Sequence, residues 1–81
     1  MNSTPEQYWL IRRSTGLSQI AFARTFGITV ASVRNYEQGK RIPPFSCRVL
    51  YGMIESHPEL VAQAVRKMTT PSVRTKLIDI A

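Results

Sequence analysis

Apolar residues recur along this chain at intervals of three and four residues, which is the spacing of an amphipathic helix. Capping residues and glycines divide the pattern into short segments. Residues 40–44 contain two prolines and are predicted to form a loop. No segment alternates as a strand does, so we expect an all-α fold in one domain, residues 1–81. The predicted helices span residues 5–15, 19–26, 30–38, 46–55 and 58–68, followed by a short helical tail at 72–80.

The second and third predicted helices have complementary faces. The second turns Phe22 and Phe26 inward, and Gly27 then supplies the positive φ that a tight turn needs. At 100° per residue, the third helix turns Val33 and Tyr36 inward. The opposite, solvent-facing stripe of the third helix consists of Ala31, Arg34, Asn35 and Gln38.

The charge balance of the chain indicates a polyanionic partner. Eleven Lys and Arg residues face five Asp and Glu residues, which gives a formal net charge of +6 and a pI of about 10.3. Such a balance in a short chain favours nucleic acid as the partner. A membrane-surface peptide would place its basic residues in one stripe, whereas these are spread along the chain. On charge alone, a generic basic protein is the alternative.

The residues needed for several other functions are missing from the sequence. The single cysteine, Cys47, can form neither an internal disulfide nor a structural zinc site. The single histidine, His57, precedes a proline and is expected to cap a helix, and nothing suggests a nucleophile or carboxylate partner for catalysis. We therefore expect no enzymatic activity, no metal and no cofactor. The chain has neither a long apolar run nor a signal-like N-terminus, which predicts a cytoplasmic protein.

The solvent-facing stripe of the third predicted helix fits the major groove of DNA, which admits one α-helix. Arginine binds guanine there and asparagine binds adenine through two hydrogen bonds, so Arg34 and Asn35 are the predicted base-reading pair. Val30 and Ala31 are placed to contact thymine methyl groups. Phosphate contacts are expected from residues at helix starts, at the end of the third helix and in the loop at 40–44, which we call the basic loop because it begins with a lysine and an arginine. These residues are Gln19, Thr29, Gln38, Lys40 and Arg41.

A longer motif surrounds these residues. It comprises Gly16-Leu17-Ser18-Gln19, Phe22-Ala23, Phe26-Gly27-Ile28-Thr29, Ser32-Val33 and Tyr36-Glu37-Gln38-Gly39-Lys40, with Pro43 after it. The motif resembles the Xre/Cro/C1-type helix-turn-helix repressor family, and the resemblance extends over residues 6–66. It implies a five-helix, lambda-repressor-like fold.

The resemblance also implies roles for single residues. In that family the third helix binds bases, which corresponds here to Val30, Ala31, Arg34 and Asn35, and the first glutamine of the second helix, here Gln19, holds a phosphate. The family often pairs an arginine late in the first helix with the glutamate before the glycine. Here this implies an ion pair between Arg12 and Glu37.

A second resemblance concerns the segment that follows the motif, Leu50-Tyr51-Gly52-Met53-Ile54-Glu55-Ser56-His57-Pro58-Glu59-Leu60-Val61. It is similar to the corresponding stretch of antitoxin-type repressors of toxin–antitoxin operons, such as the MqsA/HigA group. Many phage and mobile-element regulators share this stretch without a toxin. The resemblance therefore implies two alternatives: an autonomous repressor, or an antitoxin that neutralises a partner toxin protein and represses the shared operon.

A single copy of the third predicted helix covers too little of the major groove for selective binding. We therefore expect a homodimer on a palindromic operator whose half-sites lie one helical turn, ~34 Å, apart. Apolar residues in the predicted dimerisation region, residues 58–81, are expected to form the subunit contact: Leu60, Val61, Ala64, Val65, Val73, Leu77 and Ile78. The sequence thus predicts a repressor that regulates its own operon.

Overall fold

The computed structural model of the chain describes residues 4–69. These residues form five α-helices: α1 (Pro5–Thr15), α2 (Gln19–Phe26), α3 (Val30–Gln38), α4 (Phe45–Ser56) and α5 (Pro58–Thr69). The all-α prediction is confirmed, and every predicted helix of this part begins and ends within one residue of its observed bounds. The predicted tail helix at 72–80 lies outside the described residues.

Side-chain caps and left-handed glycines fix the bounds of α1, α2 and α3. The hydroxyl oxygens of Thr4, Ser18 and Thr29 each accept a hydrogen bond from a backbone N–H three residues later. Gly27 has a φ of 73° and Gly39 a φ of 77°, in the left-handed region that favours glycine. The turn between α2 and α3 is therefore short, and the two helices are held in a fixed relation.

One apolar core joins the five helices. α1 packs against α3 and α4, and α2 packs against α3 and α5. The Tyr51 ring lies at the centre, with its centroid 4.8 Å from that of Tyr8, 5.6 Å from Phe22 and 6.2 Å from Tyr36. The buried apolar residues are Tyr8, Ile11, Phe22, Ala23, Phe26, Val33, Tyr36, Tyr51, Ile54 and Val61.

One residue predicted for the dimer contact belongs to this core. Val61 is only 6% exposed and packs inside its own chain, which leaves little of its side chain for the predicted subunit contact. Consecutive helical residues are 100° apart, so Val61 and Val65 turn toward the core while Leu60 and Ala64 face outward. Three other predicted contact residues lie outside the described residues: Val73, Leu77 and Ile78.

The hydroxyl oxygen of Tyr51 is buried and has no hydrogen-bond partner. Burial raises the pKa of this hydroxyl well above its ordinary value. An unsatisfied buried hydroxyl costs about 1–3 kcal/mol, so Tyr51→Phe is expected to raise the free energy of unfolding by about 1 kcal/mol.

Tyr36→Phe is the matched control for Tyr51→Phe. The Tyr36 hydroxyl interacts with the side chains of Cys47 and Ser32 and, unlike that of Tyr51, is not an unpaired buried group, so its removal is expected to lower the free energy of unfolding by about 1 kcal/mol. Urea denaturation followed by circular dichroism measures both changes. A loss of stability in Tyr51→Phe would contradict the assignment of an unpaired hydroxyl.

Candidate nucleic-acid interface

The outer face of α3 is the predicted stripe. Ala31, Arg34 and Gln38 are exposed and Asn35 is half-buried. On the other side, Val33 is fully buried, as predicted. The stripe is thus turned to solvent by the same packing that fixes α3 on the core.

Two predicted DNA contacts have additional structural roles. Val30 packs partly against the core, which leaves Ala31 as the more exposed of the two predicted thymine contacts. The Thr29 hydroxyl donates to Ser32 Oγ at 2.8 Å and accepts from the Ser32 N–H at 3.1 Å. Thr29 is therefore the N-cap of α3, and its hydroxyl could donate to a phosphate only by giving up the bond to Ser32 Oγ.

An ion pair between Arg12 and Glu37, as the family resemblance implies, is present. Arg12 Nε donates to Glu37 Oε2 at 2.6 Å and Arg12 Nη2 donates to Glu37 Oε1 at 3.0 Å, and the two side chains are 12% and 4% exposed. The hydrogen bond to Glu37 raises the pKa of Arg12 above its ordinary value. Arg12 Nη1 also donates to the Leu17 carbonyl at 3.0 Å. The pair therefore joins α1, the loop after it and α3, and it neutralises Glu37.

The Gln19 side chain lies between Glu37 and Arg34. Gln19 Nε2 donates to Glu37 Oε1 at 3.1 Å, and Arg34 Nε donates to Gln19 Oε1 at 3.4 Å. We call this chain of contacts, Arg12–Glu37–Gln19–Arg34, the Arg12–Arg34 network. The sequence indicated Gln19 only as a phosphate-binding residue, because its spacing from Arg34 along the chain gives no sign of this contact.

The surroundings of the stripe are strongly basic. Between residues 16 and 50, Glu37 is the single acidic residue in the sequence. The backbone N–H groups of Lys40 and Arg41 donate to the Asn35 carbonyl at 2.9 and 3.4 Å, which holds the basic loop against the end of α3. The cationic residues of this segment are all exposed, at Arg24, Arg34, Lys40, Arg41 and Arg48.

Arg48 was not among the predicted phosphate-binding residues. It lies in the first turn of α4, is exposed, and holds its guanidinium 5.6 Å from the centroid of the Phe45 ring. Its position one turn after the basic loop and Pro44 is the sequence signal that could have identified it. We add Arg48 to the candidate phosphate contacts.

Other kinds of site were sought in the same part of the chain. Within residues 4–69, no three His, Cys, Asp or Glu side chains come together as a metal site would require. None of the helices there has the length and apolar character needed to cross a membrane.

Lys40→Ala is expected to weaken binding to DNA of any sequence and to reduce the dependence of binding on salt. Each phosphate neutralised by a cation contributes about 0.9 to the slope of log K against log salt concentration, so the slope should fall by about 1. Arg66→Ala, in α5, removes the same charge from a helix that packs on α2 and α4. Titrations of a generic duplex at several salt concentrations should show the smaller slope in Lys40→Ala alone. Equal slopes in the two variants would exclude Lys40 as a phosphate contact.

Comparison with known proteins agrees with this geometry. Residues 10–46 match the family model described as helix-turn-helix, a span that contains α2, α3 and the basic loop. The protein Antitoxin HigA-2 of Vibrio cholerae is 27% identical over 62 residues, which are 76% of this chain and 60% of the relative. The match therefore spans about three fifths of that relative's length. Residues 10–46 are thus similar to a helix-turn-helix domain, and the predicted resemblance to the Xre-type helix-turn-helix family is confirmed.

Proposed function

We propose that this chain is a sequence-specific transcriptional repressor that binds a palindromic operator as a homodimer and regulates its own operon. One observation carries the proposal: the exposed stripe of α3 lies in a basic segment whose single acid, Glu37, is neutralised by Arg12. An α-helix with these properties can enter the major groove without repelling the phosphates on either side.

The proposed binding mode assigns each part of the surface a task. Arg34 binds guanine O6 and N7, Asn35 binds adenine N6 and N7, and Ala31 contacts a thymine methyl group. Lys40 and Arg41 neutralise phosphates beyond the end of α3. The backbone N–H of Gln19, in the first turn of α2, is directed at a phosphate on the other side of the groove.

The dimer is proposed to form through the outer stripe of α5. Leu60 is 62% exposed and Met68 68%, and Ala64 lies between them on the same side of the helix. With Met53 of α4, which is 53% exposed, they line an apolar groove beside Leu50. An apolar surface of this kind on so small a domain favours contact with a second copy.

Footprinting on the DNA upstream of the chain's own operon, together with a promoter–reporter fusion, tests the proposal. We expect a protected inverted repeat that overlaps the promoter, and lower reporter activity when the protein is present. Leu60→Glu should sediment as a monomer and lose the footprint, whereas Leu10→Glu, a matched change of an exposed leucine on α1, should keep both the dimer and the footprint. Binding to this DNA no tighter than to random DNA, or unchanged reporter activity, would contradict autoregulation.

A second candidate function is favoured by the similarity to Antitoxin HigA-2. In this alternative the chain binds a toxin protein encoded beside it and represses the shared operon. The two functions are distinguished by co-expressing the product of the adjacent gene with this chain. A stable complex, and recovery of growth that the adjacent product alone inhibits, would support the antitoxin. An adjacent product that neither binds nor inhibits growth would leave the autonomous repressor.

A further inference from the structure

We propose that Gln19 is a positioning residue for Arg34 and thereby determines sequence specificity, beyond any contact of its own with a phosphate. The inference rests on the proposed function, since it concerns how Arg34 approaches a base. It is carried by the Arg12–Arg34 network, in which the Gln19 amide is held between an acceptor on one side and a donor on the other.

The chemistry of its neighbours allows the Gln19 amide only one orientation. An ionised carboxylate only accepts hydrogen bonds, and a guanidinium only donates them. Both Glu37 oxygens accept hydrogen bonds from Arg12, so the NH₂ end of Gln19 must face Glu37. The carbonyl end then faces Arg34 and accepts from its Nε. If the amide were reversed, its carbonyl oxygen would face the Glu37 carboxylate and its NH₂ group would face the Arg34 guanidinium, so neither hydrogen bond could form.

This arrangement selects how Arg34 can bind guanine. An arginine can present either Nε with one Nη, or both Nη groups, to a pair of acceptors. Because Nε is directed back to Gln19, the two Nη groups remain for guanine O6 and N7, in an end-on approach. Arg34 is also exposed, so without Gln19 its long side chain would sample many rotamers. Gln19, on α2, thus fixes where the guanidinium of Arg34, on α3, is placed for binding a base.

A phosphate-binding role for Gln19 makes a different prediction. Phosphate contacts carry no sequence information, so losing one weakens binding to all sequences alike. Losing a positioning residue instead reduces discrimination at the one base pair that Arg34 reads. The two roles therefore separate in a measurement of base preference at each operator position.

The experiment compares the full-length wild type with Arg34→Ala, Gln19→Met and the double variant. Methionine keeps the length of Gln19 and removes its amide, and position 19 is half-buried at a helix start, so the variant should fold. Each protein selects sites from a library of duplexes with a randomised central region. The base pair that the wild type selects and Arg34→Ala does not is the one read by Arg34. Binding constants are then measured for two duplexes: the wild-type consensus, and the consensus with that base pair changed. Gln63→Met, the same change at an exposed glutamine of α5 outside the stripe, is the matched control.

We expect Gln19→Met to lower the preference for the Arg34 base pair by about three- to tenfold, with the preferences at other positions kept. In the double variant the two effects should not add, because both act through Arg34. Gln63→Met should leave the preference at that base pair unchanged. An equal loss of affinity for both duplexes in Gln19→Met would overturn the inference, as would full additivity. Failure of the proposed function would look different, because the wild type itself would then select no sequence.

Discussion

Glu37→Ala is expected to lower the free energy of unfolding by about 3 kcal/mol, the largest stability effect we predict for a single substitution. The change leaves the Arg12 guanidinium, whose side chain is 12% exposed, without its carboxylate partner. It also removes the acceptor of the Gln19 amide. A domain of this size has a total stability of only about 4–12 kcal/mol, so this loss is a large part of it. Urea denaturation followed by circular dichroism measures the change.

Two further variants test whether the loss of stability in Glu37→Ala comes from the unpaired Arg12. One removes a carboxylate outside the ion pair, and the other replaces both members of the ion pair. Glu55→Ala removes an exposed carboxylate from α4 and should change stability by less than about 0.5 kcal/mol. The double variant Arg12→Met/Glu37→Leu replaces both charges by apolar groups and should recover more than half of the loss, because no buried charge is left unpaired. If Glu37→Ala cost no more than Glu55→Ala, the pair would not be a structural element of the domain.

Arg34→Ala is expected to have the largest effect on DNA selectivity. A bidentate arginine–guanine contact contributes about 1–3 kcal/mol of discrimination against the wrong base pair, and a dimer loses it in both half-sites. Affinity for the selected operator should therefore fall at least about tenfold. Affinity for random duplexes should fall less, because there the variant lacks only one positive charge per chain.

Arg24→Ala is the matched control for Arg34→Ala, since it also removes an exposed arginine, in this case from α2. It should leave the ratio of operator to random-duplex affinity unchanged. Competition titrations with both duplexes measure this ratio for each variant. The same ratio in Arg34→Ala and in the wild type would show that Arg34 does not read a base.

Most of the fold could be predicted because its boundaries are encoded locally. Ser18 and Thr29 cap the starts of α2 and α3, and Gly27 and Gly39 end them in a conformation that other residues adopt only with strain. The inward positions of α3 follow from the helical period alone, so Val33 could be assigned to the core without a structure.

Two features of the structure could not be predicted from local pattern. The contact between Gln19 and Arg34 depends on the angle between α2 and α3 and on one rotamer at each position, which no spacing along the chain records. In α5, the period identifies apolar stripes but does not say which one faces the core. The two stripes are adjacent, so the period alone does not distinguish Val61, which is buried in its own chain, from the exposed Leu60.

The central claim is that DNA lies against the exposed stripe of α3, and NMR of the wild-type protein bound to its selected duplex tests it most directly. We predict intermolecular nuclear Overhauser effects from the Ala31 methyl group and the Arg34 side chain to major-groove base protons. The largest amide shift changes should fall in residues 30–41 and at Gln19. Effects confined to α4 and α5, with the α3 amides unmoved, would contradict the claim.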